Sequence, residues 1–155
     1  MSDYTGPGIY GIVPYHANDM SLDVWGNNKK EGIAIKLYKR SPTAENHQFM
    51  IADAGDLDAR TEKGDREYLI IAVNSGLYLT CNGDGKPVTT QLRGPMDASV
   101  RWKLAHTGNG AFYINHVSGD KQLNVAGNAK ESGSGLICYK PSKEVNAQFL
   151  IKAVA

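Results

Sequence analysis

Three side chains between Leu22 and Phe49 have the types and spacing to hold a small polar ligand: Asp23, Tyr38 and Asn46. Asp23 is flanked by Leu22 and Val24, an apolar-acidic-apolar pattern that turns its carboxylate to the opposite face of an extended segment. Hydrogen bonds to such a charged acceptor are roughly twice as strong as neutral ones. Tyr38 alternates with the inward pair Ile35 and Leu37, so its ring is an outward, flat apolar platform. Asn46 both donates and accepts. A flat ring beside convergent acceptors and donors suits a neutral, hydroxyl-rich ligand on a shallow surface. Lys36, on the same face as Tyr38, and Trp25, directly after the Leu-Asp-Val motif, are further candidate contacts. Either also has an ordinary explanation, as an exposed strand lysine and as a rim aromatic over a hairpin.

The elements that position these residues are legible as a repeat. The stretch Leu22 to Phe49 contains a Gly/Asn turn, a strand pattern over Ile33, Ile35 and Leu37, a polar loop and an Asn-His-Gln-aromatic end. It returns twice in weaker form, giving units over approximately 9–51, 67–104 and 112–151. Each unit opens on a strand (IYGIV, YLIIAV, FYINHV). Each then reaches a leucine, a polar residue and a small apolar residue: Leu22-Asp23-Val24, Leu79-Thr80-Cys81, Leu123-Asn124-Val125. Each ends on an aromatic, Phe49, Trp102 or Phe149. Short alternating segments punctuated by turn pairs read as all-β, with helices limited to short turns. Three four-strand units of this size cannot each bury an apolar face alone, so the pattern predicts closure around a pseudo-threefold axis into one β-trefoil domain over 1–155. The third unit places Asn124, Tyr139 and Asn146 where the first has Asp23, Tyr38 and Asn46. This second set is weaker, because an amide replaces the carboxylate. The second unit has Thr80, Arg93 and Ser99, with no ring platform.

Two patterns carry a family resemblance: Tyr-x-Ile…Asn-Ser-Gly-x-x-Leu in unit two, Tyr68 to Cys81, and Leu-Asp-Val…Gly…Tyr…Asn-x-Gln-aromatic in unit one. Over nearly its whole length the chain resembles the fungal ricin-B-like β-trefoil lectins. The family's usual glutamine two places before the terminal aromatic is replaced by His47, Val100 and Ala147, with Gln48 and Gln148 beside two of those positions. The resemblance implies a non-enzymatic lectin that binds a galactose- or mannose-type sugar at Asp23, Tyr38 and Asn46, without metal or cofactor. The chain also resembles the lectin-like light subunit of mushroom tyrosinase in size and degenerate repeat. That implies, as an alternative, an interaction subunit that has lost sugar binding and partners a tyrosinase catalytic subunit. A trefoil protease inhibitor is a third reading.

Composition narrows the alternatives. Seventeen basic against 16 acidic residues in 155 leave a net charge of +1 with no block of like charge, which gives no footprint for nucleic acid or an anionic membrane. No apolar run approaches the roughly 20 residues of a membrane span. Met1 to Tyr10 lacks the pattern of a signal peptide, and two cysteines without an Asn-x-Ser/Thr sequon fit a reducing compartment, so the expectation is cytoplasmic. Cys81 aligns with Val24 and Val125, and Cys138 with Leu37 and Leu92; both read as small core residues and not as a disulfide pair. His16, His47, His106 and His116 show no metal-ligand spacing and read as structural or exposed. Asp53 to Arg66 interrupts the symmetry. Asp56, Asp58 and Glu67 mimic calcium-loop positions, but Arg60 takes the fifth place and Thr61 the sixth, where a glycine is wanted, which makes the analogy poor. A solvated linker or a partner-recognition loop remains. No hydrolytic or phosphate-binding motif is present, so nothing in the sequence argues for an enzyme.

Overall fold

The computed structural model describes residues 1–55 and 66–154. Among them are twelve strands, four to a unit. Unit one has β1 (Gly8–Pro14), β2 (Met20–Val24), β3 (Ile35–Lys39) and β4 (Phe49–Gly55). Unit two has β5 (Glu67–Ala72), β6 (Tyr78–Thr80), β7 (Thr89–Gln91) and β8 (Trp102–His106). Unit three has β9 (Phe112–His116), β10 (Gln122–Val125), β11 (Leu136–Tyr139) and β12 (Phe149–Ala153). Helical structure is confined to 3-10 turns of three residues, such as Trp25–Asn27 and Glu45–His47.

Six strands close on themselves. β1 pairs β4, β4 pairs β5, β5 pairs β8, β8 pairs β9, β9 pairs β12, and β12 returns to β1, all antiparallel. The remaining six form the hairpins β2–β3, β6–β7 and β10–β11. These lean on one another around the axis: the Ile35 amide donates to the Val88 carbonyl (3.0 Å), Val88 to Leu136 (2.9 Å) and Leu37 to Ser134 (2.8 Å). A closed ring leaves no barrel edge unpaired. This is the β-trefoil that the repeat predicts.

The repeated residues fill the core in equivalent triplets. Phe49, Trp102 and Phe149 are wholly buried, as are Ile12, Ile70 and Ile114, and Leu22, Leu79 and Leu123. Each such side chain contributes about 1.5–3 kcal/mol of transfer free energy. The Trp102 indole N–H donates to the Leu79 carbonyl at 3.2 Å, so its polar atom is satisfied where phenylalanine needs no partner. Cys81 and Cys138 are buried free thiols in the same cluster. The Cys138 thiol hydrogen-bonds Cys81, bringing Cys81 down to about 7 and pushing Cys138 up.

Two sequence expectations need correction in unit two. The rungs Leu22↔Leu37 and Leu123↔Cys138 correspond to Leu79↔Thr90, so Thr90 takes the core place assigned to Leu92. Thr90 is fully buried, its hydroxyl donating to the Lys30 carbonyl, whereas Leu92 is 63% exposed beyond the end of β7. By the same rungs Gln91, not Arg93, is the counterpart of Tyr38 and Tyr139. In unit one Ile33 precedes β3 and its carbonyl accepts from Thr90 at 2.9 Å, so the strand starts two residues later than the alternation suggests. Asp53 belongs to β4, where it accepts from Arg66 (2.8 Å); Asp56 and Asp58 lie outside the described residues.

The residue before each terminal aromatic clamps the loop behind it. Gln48 donates to the Pro42 carbonyl (2.9 Å), Gln148 to Lys143 (3.0 Å) and Arg101 to Pro95 (2.7 Å). Arg101 does more. It is buried, and it also donates to Glu67 at 2.7 Å and to the Ala54 carbonyl at 2.7 Å. Arg101→Ala removes the buried guanidinium that faces the Glu67 carboxylate and two carbonyls, and is expected to cost about 3–5 kcal/mol in urea unfolding, with Arg101→Met still short of wild type. His116 provides a pH test. It is buried, its Nε2–H donates to the Ala98 carbonyl at 2.8 Å, and burial lowers its pKa below 6.5. The unfolded chain therefore takes up the proton first. Its contribution to stability is present above pH 6.5 and is lost as pH falls from there through the folded value. Unfolding midpoints between pH 7 and pH 5 should fall more steeply for wild type than for His116→Gln.

Candidate functional site

The Leu22-Asp23-Val24 strand ends in a tight turn that needs two consecutive left-handed residues. Gly26 (φ 69°) and Asn27 (φ 54°) supply them, glycine without a Cβ and asparagine as one of the side chains that tolerate the region. Gly127 and Asn128 repeat the device in unit three. In unit one the turn folds Trp25 and Asn27 toward Tyr38 and Asn46. The result is an open pocket of about 390 Å³ lined by Asp23, Trp25, Gly26, Asn27, Tyr38 and Asn46.

The pocket joins all three principal candidates and Trp25. Tyr38 is half exposed and forms one wall, with the Trp25 ring edge-on at 6.2 Å between centroids and 76° between planes. Lys36 is not among the lining residues. Its ammonium sits 5.0 Å over the Trp25 ring, a cation–π contact that holds the indole.

Asp23 is the fixed point. It is only 4% exposed, and its Oδ2 accepts from Asn46 Nδ2 (3.1 Å) and meets His47 Nε2 at 2.7 Å. The Ser41 amide donates to His47 Nδ1 at 3.3 Å, which makes Nδ1 the acceptor and Nε2–H the donor to Asp23. The histidine thus locks the carboxylate rotamer. Asp23 Oδ1 has no hydrogen-bond partner among the described residues, although it is buried.

The bond from His47 to Asp23 and the place of the turn in the pocket wall are what sequence reasoning did not assign. The signal for His47 was its position, two places before Phe49, where a buried side chain must reach back across the hairpin. Asn27 is braced from another unit: Asn74, in the β5–β6 turn, donates from Nδ2 to Asn27 Oδ1 at 3.0 Å. His16 does the same for unit three, meeting the Ala129 carbonyl at 2.7 Å.

In unit three the matching residues come together in a reduced form. Asn146 Nδ2 donates to Asn124 Oδ1 (3.3 Å) and to the Val125 carbonyl (3.0 Å), and Tyr139 is exposed. Ala126 stands where Trp25 does, and buried Ala147 where His47 does, so both the indole wall and the imidazole lock are gone. In unit two the Thr80 hydroxyl donates to Tyr78 and Ser99 to Asp97, turned to local bonds. Arg93 donates to the Leu92 carbonyl.

A family model described as ricin-type β-trefoil lectin domain-like matches residues 45–139. The chain belongs to the ricin-type β-trefoil lectin family. It is a carbohydrate-binding lectin of a generally non-enzymatic type. An agglutinin of Sclerotinia sclerotiorum is 30% identical over 97% of this chain and 98% of its own. The designed threefold-symmetric protein ThreeFoil superposes with a TM-score of 0.79 at 24% identity, over 92% of this chain and 96% of that one. The Macrolepiota procera ricin B-like lectin, solved in complex with lactose, superposes with a TM-score of 0.72 at 17% identity, over 98% and 99% of the two chains. No group of His, Cys, Asp and Glu able to hold a metal ion occurs among the described residues of this lectin, and no helix there is long and apolar enough to cross a membrane.

His47→Ala removes a charge-assisted donor from a buried carboxylate and should cost about 1.5–3 kcal/mol in urea unfolding. His47→Gln returns an amide N–H from the same position and should recover part of the loss, separating the hydrogen bond from packing.

Proposed function

We propose that the pocket of unit one is this lectin's principal sugar site, holding a terminal galactose- or mannose-type hexose. The observation that carries the reading is Asp23: one oxygen is saturated by His47 and Asn46, and the other is buried in the pocket wall without a donor. A buried acceptor left unsatisfied costs on the order of 1–3 kcal/mol, which a ligand hydroxyl donating to Oδ1 relieves. Asn46 retains its carbonyl and one N–H for a neighbouring hydroxyl. Tyr38 and Trp25, set nearly perpendicular, cover the C–H face of the ring and one edge. Lactose in the Macrolepiota procera lectin favours the galactose arm. The Asn124, Tyr139 and Asn146 set acts as a weaker site, since it lacks the carboxylate, the indole and the imidazole.

The test is a calorimetric titration of wild type and Asp23→Asn with lactose and methyl α-mannoside. Wild type is expected to bind one of the two, and Asp23→Asn to bind at least about tenfold more weakly, as loss of a charge-assisted hydrogen bond implies. Unchanged affinity in Asp23→Asn would move the principal site elsewhere.

A further inference from the structure

At each junction between units, the hairpin of one leans on the hairpin of the next through the same backbone bond. The Gly32 amide donates to the Thr90 carbonyl (2.6 Å), Gly85 to Cys138 (2.7 Å) and Gly133 to Leu37 (2.8 Å). Each donor lies in the hairpin loop that follows Val24, Cys81 or Val125. The repeat therefore pairs Val24 with Thr90, Cys81 with Cys138 and Val125 with Leu37. All six are buried. Valine, threonine and leucine fill two of these junctions, so packing alone does not call for sulfur. The third junction has a thiol on both sides.

The two thiols are in contact and are not alike. The Cys138 thiol hydrogen-bonds Cys81 and, together with a backbone bond from Gly83, holds Cys81 down to about 7; the same contact pushes Cys138 up. Cys81 is thus about half thiolate at neutral pH. It also keeps 7% exposure, whereas Cys138 has none. The chain around the pair is tied from both sides. The Cys81 amide donates to the Ser99 carbonyl (2.8 Å), the Cys138 amide to the Lys86 carbonyl (3.3 Å), and Asp84 forms a parallel bridge with Cys138. The residues after Cys81 therefore run along Cys138 and keep the two thiols adjacent. Neither thiol lines the sugar pocket.

We infer that Cys81 and Cys138 are a redox-active pair, which hydrogen peroxide closes into a disulfide between units two and three. The Cys81 sulfur attacks one peroxide oxygen. The O–O bond breaks, Cys81 becomes a sulfenic acid, and the departing hydroxide takes a proton to become water. Cys138 then attacks the Cys81 sulfur. The S–S bond forms as the S–O bond breaks, and the Cys138 proton leaves with the sulfenic oxygen as a second water. The two thiols have lost two electrons and two protons, and the peroxide has taken up both. Cys81 reacts first because it is the exposed and more acidic thiol, which leaves Cys138 as the resolving one. Once Cys81 carries oxygen, it is no longer the anion that kept Cys138 protonated.

The test treats reduced wild type, Cys81→Val and Cys138→Thr with hydrogen peroxide, alkylates the remaining thiols in denaturant and weighs the products by mass spectrometry. Both substitutions copy residues that the fold already buries at equivalent places, Val24 and Thr90. Wild type should lose about 2 Da, the two thiol hydrogens, within a single chain and should take up no alkylating agent. Dithiothreitol should restore both thiols. Cys138→Thr should stop at a Cys81 sulfenic acid, trapped by dimedone, and Cys81→Val should leave Cys138 alkylatable. The wild-type arm decides the bond without either variant. The inference is overturned if both wild-type thiols remain alkylatable after peroxide, if the linkage joins two chains, or if Cys138 is oxidised in Cys81→Val as readily as Cys81 is in Cys138→Thr.

Discussion

No four strands of this chain can bury their own inner face, and the rest of the structure follows from that constraint. Phe49, Trp102 and Phe149 are wholly buried in one core cluster that draws residues from all three units. Closure then fixes the strand ring and the mutual support of the hairpins. It also brings turns of different units into contact, so that Asn74 and His16 brace turns far from them in the chain. The pocket is thus a product of assembly. Its walls belong to unit one, but the conformation of Asn27 is held from unit two.

Symmetry also separates what the core requires from what the surface is free to change. Most inward triplets vary little in character, Ile with Ile and Leu with Leu, because equivalent places in a shared core have similar volume to fill; Leu37, Thr90 and Cys138 are the exception. The outward triplets diverge: Asp23, Thr80 and Asn124; Tyr38, Gln91 and Tyr139; Asn46, Ser99 and Asn146. No packing constraint demands a carboxylate, a ring and an amide together, yet one unit has all three beside an indole and an imidazole. That concentration of polar and aromatic groups in a single unit is the physical contrast between scaffold and site.

Much of the fold was legible in the sequence because the same two periodicities, alternation within strands and recurrence between units, report on burial. Leu22, Leu79 and Leu123 and the three terminal aromatics were enough to give the strand ring. The reading slipped where a residue's type contradicted its place. Leu92 is apolar but exposed, and Thr90 is polar but buried, its hydroxyl satisfied by a carbonyl 60 residues away. The slip carried Arg93 into a position that belongs to Gln91. Within the site, Asp23, Tyr38, Asn46 and Trp25 could be named from motif and alternation. His47 and Asn74 could not, because their roles are hydrogen bonds spanning 24 and 47 residues, which no local pattern encodes.

The absence of an indole and an imidazole from unit three, and of a ring from unit two, has a consequence for valence. The full set of carboxylate, ring, amide, indole and imidazole is gathered in one unit of the three. On the proposed reading a single chain grips firmly through that pocket alone, and drawing two surfaces together with equal strength demands two copies. Threefold architecture, in this molecule, does not confer threefold grip.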